Sequence, residues 1–145
     1  MTFHRHRVFA AFATGLLAVA VLPGCGGSDV DRVGVSGTVT LDGQPLESGA
    51  ILFLPKGEGP SAGTQIENGR FSIARSDGPS PGEYRAEIRS FRDTGEMIPD
   101  DDFPGQLTEV RQQIIPARYN ESSELEVTFS ADRRREELTF DLQSD

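Results

Sequence analysis

The densest group of potentially reactive side chains is a set of carboxylates between residues 93 and 102. Its members are Asp93, Glu96, Asp100, Asp101 and Asp102. Closely spaced carboxylates on a loop can supply the oxygen ligands that calcium prefers. The spacing does not match an EF-hand, however, and three consecutive aspartates cannot all turn inward on an extended chain. A solvated acidic loop is therefore the favoured interpretation, a weak calcium site is the alternative, and carboxylate catalysis comes last.

Other groups that commonly carry out catalysis are scarce. The sequence has two histidines, His4 and His6, one cysteine, Cys25, and no tryptophan. The chain beyond residue 25 therefore lacks an imidazole for a Ser-His-Asp arrangement or a metal site, and it lacks a thiol nucleophile. An enzyme would have to work with carboxylates, arginine, serine or tyrosine. We therefore predict a non-enzymatic protein without a cofactor, and a hydrolase is the least favoured class.

The segment before Cys25 has the parts of a secretory signal. A basic stretch at His4–Arg7 is followed by an apolar stretch at Val8–Val21, which is shorter than the roughly 20 residues of a membrane span. Leu22–Cys25 resembles the bacterial lipobox, in which the cysteine becomes the lipidated N-terminus after cleavage. We therefore predict a lipoprotein signal peptide at 1–24, lipidation of Cys25 and a flexible tether at 25–32; an ordinary signal peptide is the alternative.

Cleavage before Cys25 would leave a strongly acidic chain. It would remove Arg5 and Arg7 but no acidic residue, so that 12 basic and 23 acidic residues remain and the net charge is −11. Such a chain is repelled by nucleic acid, which we exclude as a partner. Gly26 stands where an aspartate marks inner-membrane retention in the best-known sorting rule. The resemblance thus implies an exported protein held in the cell envelope by its lipid, at the outer rather than the inner membrane.

Most of the remaining sequence shows the patterns of short strands. Alternating apolar residues indicate half-buried strands at 33–41, 83–91, 125–129 and 138–142, a continuous apolar run at 50–54 indicates a central strand covered on both faces, and 114–115 is a short candidate. Asp42-Gly43 is a strong turn signal, and Asn68-Gly69 predicts a hairpin between strands at 63–66 and 70–74. Asp132–Arg135 is expected to form an exposed hairpin turn.

These elements predict one all-β domain at 33–145. About seven short strands with frequent turn signals are typical of a Greek-key-type β-sandwich. The only candidate helix is Leu107–Gln113, which is too short to be stable without tertiary support.

Several segments resemble carboxypeptidase-regulatory-like domains, which are β-sandwiches related in shape to transthyretin. The matching segments are Val35–Val39, Leu41–Leu46, Gly49–Phe53, Gly69–Ile73 and Pro81–Arg85. A further segment, Ile115–Asn120, resembles the C-terminal portion of small bacterial lipoproteins that carry this domain. The resemblance implies a transthyretin-like fold and a non-catalytic accessory role.

Together, these observations predict a non-enzymatic, lipid-anchored envelope protein. Its β-sandwich would be displayed at a membrane surface to contact an envelope protein or polymer, through loops or an exposed strand edge. A calcium- or carbohydrate-binding module of the envelope is the alternative function.

Overall fold

A computed structural model describes residues 31–144. The predicted signal peptide at 1–24, the lipidation site at Cys25 and most of the predicted tether lie outside the described residues. Between residues 31 and 144, no helix is long and apolar enough to cross a membrane.

Within this range the chain forms ten strands and two single turns of 3-10 helix. The strands are β1 (Gly34–Leu41), β2 (Gln44–Pro45), β3 (Ser48–Pro55), β4 (Ala62–Glu67), β5 (Arg70–Ile73), β6 (Gly82–Arg89), β7 (Phe91–Pro99), β8 (Leu107–Gln113), β9 (Glu126–Phe129) and β10 (Arg135–Leu142). The 3-10 turns are Arg75–Asp77 and Ala117–Tyr119.

Eight strands form one curled sheet, and the other two form a separate ribbon. The order in the large sheet is β10-β1-β5-β4-β3-β6-β9, with β2 added to β1. All neighbours are antiparallel except β1 and β10, which are parallel. The sheet curls into a half-barrel, as expected for a β-sandwich. The predicted all-β class is therefore confirmed.

Two hairpin turns follow directly from their sequences. Asp42 and Gly43, between β1 and β2, have φ angles of 52° and 78°. Asn68 and Gly69, between β4 and β5, have φ angles of 50° and 73°. Consecutive positive φ angles are the type I′ geometry that Asp-Gly and Asn-Gly favour, because its twist matches that of the flanking strands. The Asn68-Gly69 hairpin is thus confirmed.

The core lies on the concave side of the sheet and is rich in aromatic rings. Phe129 makes edge-to-face contacts with Phe53 and Tyr84, at centroid distances of 5.3 and 5.2 Å. The Tyr84 hydroxyl accepts a hydrogen bond from the Ser80 N–H (3.1 Å) and donates one to the Pro60 carbonyl (3.2 Å). These bonds satisfy the one polar atom that the buried tyrosine brings into the core.

Four local predictions were wrong. Leu107–Gln113 is strand β8 rather than a helix, because it pairs along its length with β7. Residues 114–115 form no strand, although Ile115 is buried in the core. The run at 50–54 is not covered on both faces, since Leu52 is 38% exposed on the convex side.

The fourth wrong prediction is the hairpin at Asp132–Arg135. Strands β9 and β10 lie at opposite edges of the large sheet. The chain therefore crosses from one edge to the other here, and Arg135 already begins β10. The two strands do run in opposite directions, but they form no hairpin because β10 pairs with β1 at the far edge instead of with β9.

Candidate interaction surface

Residues 91–113 form a two-stranded ribbon that stands apart from the half-barrel. Strands β7 and β8 pair antiparallel and make their extensive contacts only with each other. Every residue of β7 is exposed, and in β8 only Val110 and Gln113 are half-buried. None of the buried apolar core residues of the described chain comes from this range. The ribbon therefore needs an explanation other than packing of the core.

The ribbon carries most of the exposed large apolar side chains. Of those in residues 31–144, Leu52 alone lies on the half-barrel. The ribbon holds the others, which are Phe91, Met97, Ile98, Phe103 and Leu107. Phe103 and Leu107, at the tip, are 60% and 61% exposed. Contiguous exposed apolar side chains commonly mark interaction sites, whereas single ones need no explanation. Met97 and Leu107 share one face of the ribbon, because Leu107 pairs with Pro99, two residues from Met97.

Hydrogen bonds hold the tip loop in one conformation. The Asp100 carboxylate accepts the N–H groups of Asp102 (2.9 Å) and Phe103 (3.0 Å). Across the loop, the Asp100 N–H donates to the Gln106 carbonyl (2.9 Å) and the Gln106 N–H to the Phe103 carbonyl (3.0 Å). Gly105 has a φ of 92°, which a residue with a side chain rarely adopts. The loop thus presents the Phe103 ring on a fixed backbone.

The base of the ribbon is fastened to the half-barrel. The hydroxyl of buried Ser90 donates to the Ser48 carbonyl (2.6 Å), and the Ile114 N–H donates to the Ser90 carbonyl (2.9 Å). The Gln113 side-chain oxygen accepts two further N–H groups, from Ser90 (3.0 Å) and from Ile115 (3.2 Å). The direction of the ribbon is therefore set by bonds at its base.

The ribbon leaves the half-barrel at the end opposite to the N-terminal entry. Four antiparallel pairings lead from β1 through β5, β4 and β3 to β6, so β1 and β6 run in the same direction. Leu41 at the end of β1 lines the same cleft as Ser90 and Phe91. The chain enters at the other end, where the Val33 N–H donates to the Pro79 carbonyl (2.9 Å).

The five carboxylates considered as a calcium site are all on the ribbon, but they do not converge on a common point. Asp93 forms an ion pair with Arg111 (3.3 Å), and the Asp100 carboxylate accepts hydrogen bonds from backbone N–H groups of the tip loop. Asp101 and Asp102 are exposed at the tip, and Glu96 lies in β7 beside a register shift. Among residues 31–144, no three histidine, cysteine or acidic side chains are placed to hold a metal ion.

A second surface feature is a polar groove of ≈ 610 Å³ across β1, β5 and β4. Its lining combines hydroxyl and amide side chains with three charged ones; the former are Ser36, Thr38, Thr64, Gln65 and Ser72, and the latter are Glu67, Arg70 and Glu137. The groove exists because β4 and β5 pair only at Glu67 and Arg70 and then diverge. Its chemistry would suit a polyhydroxylated ligand, and the one aromatic side chain in its lining, Phe71, is only 5% exposed.

Asp42 and Tyr119, which have lowered pKa values, contact the last residues of the described chain and do not belong to the ribbon. The Asp42 carboxylate accepts the Ser144 N–H (2.9 Å), which lowers the pKa of Asp42. The pKa of Tyr119 is also lowered, chiefly by its hydrogen bond with Arg118 and then by the N–H of Gln143. Both interactions fasten the last residues of the chain to the half-barrel, so a structural role accounts for them.

Sequence reasoning missed the ribbon as a unit. It placed the acidic residues on a long loop and took Leu107–Gln113 as the only candidate helix. The available signal was the Pro104-Gly105 pair between two polar stretches of similar length, which is typical of a turn between strands. The pattern was weak because neither strand has a buried face to impose an alternation of apolar and polar residues.

Comparisons with known proteins do not place the chain in a family. No family model matches the sequence, and no curated protein matches it. Among solved structures, the chain is similar to a 9R-lipoxygenase from Cyanothece PCC8801, with a TM-score of 0.37 and 15% sequence identity. The match covers 78% of this chain and 16% of the lipoxygenase chain. At that TM-score, the likeness supports no conclusion about fold or activity.

Proposed function

We propose that this chain is a non-enzymatic, lipid-anchored protein of the cell envelope that contacts another protein through its ribbon. In this proposal the chain is exported, Cys25 carries the lipid and the half-barrel is a transthyretin-like module of the carboxypeptidase-regulatory-like type. The outer membrane is the proposed location. The observation that carries the proposal is the position of the ribbon, at the end of the domain opposite to the entry of the chain.

The exposed apolar side chains of the ribbon support an interaction role. Their exposure to water is unfavourable, and they contribute nothing to the core of the half-barrel. A partner that covered them would recover about 25 cal/mol for each Å² of apolar surface removed from water. Polar and acidic residues surround them, as is usual at the rim of a protein interface.

The geometry also gives the ribbon a long reach from a membrane. An extended tether of eight residues spans up to ~28 Å. An eight-residue strand such as β1 and the nine residues of β7 would add about 25 and 30 Å at their usual rise per residue. A lipid at Cys25 would thus allow the ribbon tip to lie up to ~80 Å from the bilayer surface. This arrangement favours a partner across an aqueous space.

The anchor can be tested by a Cys25→Ser substitution. The proposal expects the variant in the soluble envelope fraction and the wild-type chain in the membrane fraction. A variant that stays with the membrane would refute lipid anchoring. Labelling with a radioactive fatty acid provides a second measurement, because only the wild-type chain should take up label.

The contact role can be tested by site-specific photo-crosslinking in the native cells. A photoreactive side chain at position 107, on the ribbon, should give protein adducts. The same side chain at position 57 is the control, since Gly57 is exposed at the opposite end of the domain and has no other atoms near its Cβ position. Adducts of equal yield at both positions, or none at 107, would contradict the proposal.

The polar groove favours a second candidate, a carbohydrate-binding module. Its hydroxyl and amide lining could hydrogen-bond to the hydroxyl groups of a glycan. Short N-acetylglucosamine oligosaccharides are a suitable probe of envelope chemistry. Binding should raise the unfolding temperature in proportion to the logarithm of ligand concentration. A Thr38→Ala, Ser72→Ala double variant should lose that shift, and an unchanged unfolding temperature of the wild-type chain would dismiss this candidate.

A further inference from the structure

We propose that Phe103 is the anchor of the ribbon contact, and that its partner is a protein with an apolar pocket surrounded by lysine or arginine side chains. This inference rests on the proposed function of the ribbon and names the chemistry of the surface that it meets. Three observations carry it: the exposure of the Phe103 ring, the fixed backbone beneath it and the uncompensated charge beside it.

Phe103 combines exposure with a backbone that is already ordered. Its ring is 60% exposed, while its N–H and carbonyl groups are both bonded within the tip loop. Binding through a preordered loop avoids much of the entropy cost of fixing it. Interface energy usually concentrates in a few anchors that fill pockets on the partner. Among the exposed apolar residues of the ribbon, Phe103 alone lies in the hydrogen-bonded tip loop.

The negative charge at the tip indicates which residues should surround the apolar pocket of the partner. Between positions 99 and 107 there are three aspartates and no basic residue. The two arginines of the ribbon lie at its base, where Arg111 pairs with Asp93 and stands 5.5 Å from the centre of the Phe91 ring. The tip charge therefore has no compensation from the ribbon itself. Complementary charges around an interface speed association and reject partners of like charge.

The same charge argues against two other occupants. A second copy approaching tip to tip would bring six aspartates together, which like-charge repulsion opposes. An anionic bilayer surface would repel the tip for the same reason. A basic rim around an apolar pocket is the surface that satisfies both the ring and the carboxylates.

The test uses the full chain in its native cells, with a photoreactive side chain at position 107. The yield of the specific protein adduct is compared among variants. Phe103→Ala should lower the yield at least ~10-fold, as expected for an interface anchor. An Asp101→Asn, Asp102→Asn double variant should lower it several-fold and should weaken its dependence on ionic strength. The adduct by itself does not support the inference; the pattern across the variants does.

Two control variants match these changes away from the tip. Leu52→Ala removes the exposed apolar side chain of the half-barrel, and Glu121→Gln with Glu124→Gln removes two exposed charges elsewhere. Both should leave the adduct yield unchanged. Thermal unfolding of purified Phe103→Ala should match that of the wild-type chain, which separates a lost contact from a lost fold.

The outcomes separate this inference from the proposed function. Absence of any adduct at position 107 would refute the ribbon contact altogether. A protein adduct that persists at full yield in Phe103→Ala or in the aspartate variant would refute the anchor or the basic rim, and it would leave the ribbon contact standing. An adduct to lipid, to a second copy of the chain or to an acidic surface of the partner would also overturn the inference.

Discussion

Excision of the ribbon tests whether it is an appendage or a part of the fold. We consider a variant in which residues 91–113 are replaced by two glycines that join Ser90 to Ile114. These two residues are already hydrogen-bonded, with 2.9 Å between the Ile114 nitrogen and the Ser90 oxygen. The chain ends therefore lie close enough for a two-residue link. The Ser90 hydroxyl bond to Ser48 is retained in the variant.

The expected change in the free energy of unfolding is small because two terms oppose each other. The variant loses the two hydrogen bonds that the Gln113 side chain accepts, at about 1–3 kcal/mol in total. Shortening the connection from 23 to two residues recovers about 2 kcal/mol of loop-closure entropy, by the logarithmic dependence on loop length. No core side chain is removed. The net change should therefore lie within about 2 kcal/mol of zero.

Urea unfolding followed by circular dichroism and tyrosine fluorescence provides the assay. The variant should unfold in one cooperative transition. The m-value scales with the surface that unfolding exposes. The removed residues make up about a fifth of the described chain, and the ribbon strands are already exposed to solvent in the fold. The m-value should therefore fall by less than a fifth. A Gln113→Ala variant of the intact chain isolates the hydrogen-bond term. Loss of more than ~4 kcal/mol on excision, or loss of cooperativity, would show that the ribbon supports the fold and would refute this reasoning.

Three further predictions concern the half-barrel. Phe53→Ala should lower the free energy of unfolding by about 3–5 kcal/mol in urea, because Phe53 is fully buried; a loss below ~1 kcal/mol would contradict its central position. Gly37→Ala should lower the melting temperature, since its Cβ would stand 2.1 Å from the Leu138 carbonyl oxygen, whereas Gly57→Ala should not. Asp42→Asn should be less stable than wild type near neutral pH. The reason is that the lowered pKa of Asp42 stabilises the fold at pH values above the ordinary aspartate pKa of 3.8. That difference should shrink as the pH falls below about 4 in thermal unfolding, and a constant difference would contradict it.

Local sequence patterns determined much of the half-barrel. Alternation placed Val35 and Val39 of β1 in the core, and it did the same for Tyr84 in β6. Asn68-Gly69 specified a hairpin turn because few other pairs adopt two positive φ angles. These features depend on neighbouring residues only, so a linear pattern carries them.

Features that depend on pairing between strands far apart in the sequence could not be predicted from local patterns. The parallel partnership of β1 with β10 joins residues about 100 positions apart, and it turned the expected hairpin at Asp132–Arg135 into a crossover. The burial of Glu87 was also not evident from the sequence. The alternating pattern puts Glu87 on the polar face of β6, yet its side chain is only 6% exposed. Arg85 and Arg89 lie on either side of it and bond its carboxylate at 2.7 and 3.2 Å, which compensates the burial of its charge.

For the candidate site, too, some features follow from the sequence and others only from the tertiary structure. The sequence by itself identified the acidic residues between 93 and 102, the scarcity of catalytic groups and the lipobox-like segment before Cys25. Only the tertiary structure showed that those acids lie on a projecting ribbon beside exposed apolar side chains, and at the end of the domain opposite to Val33. The reason is physical: composition and spacing reveal which groups are present, whereas the pairing of strands decides where each group points.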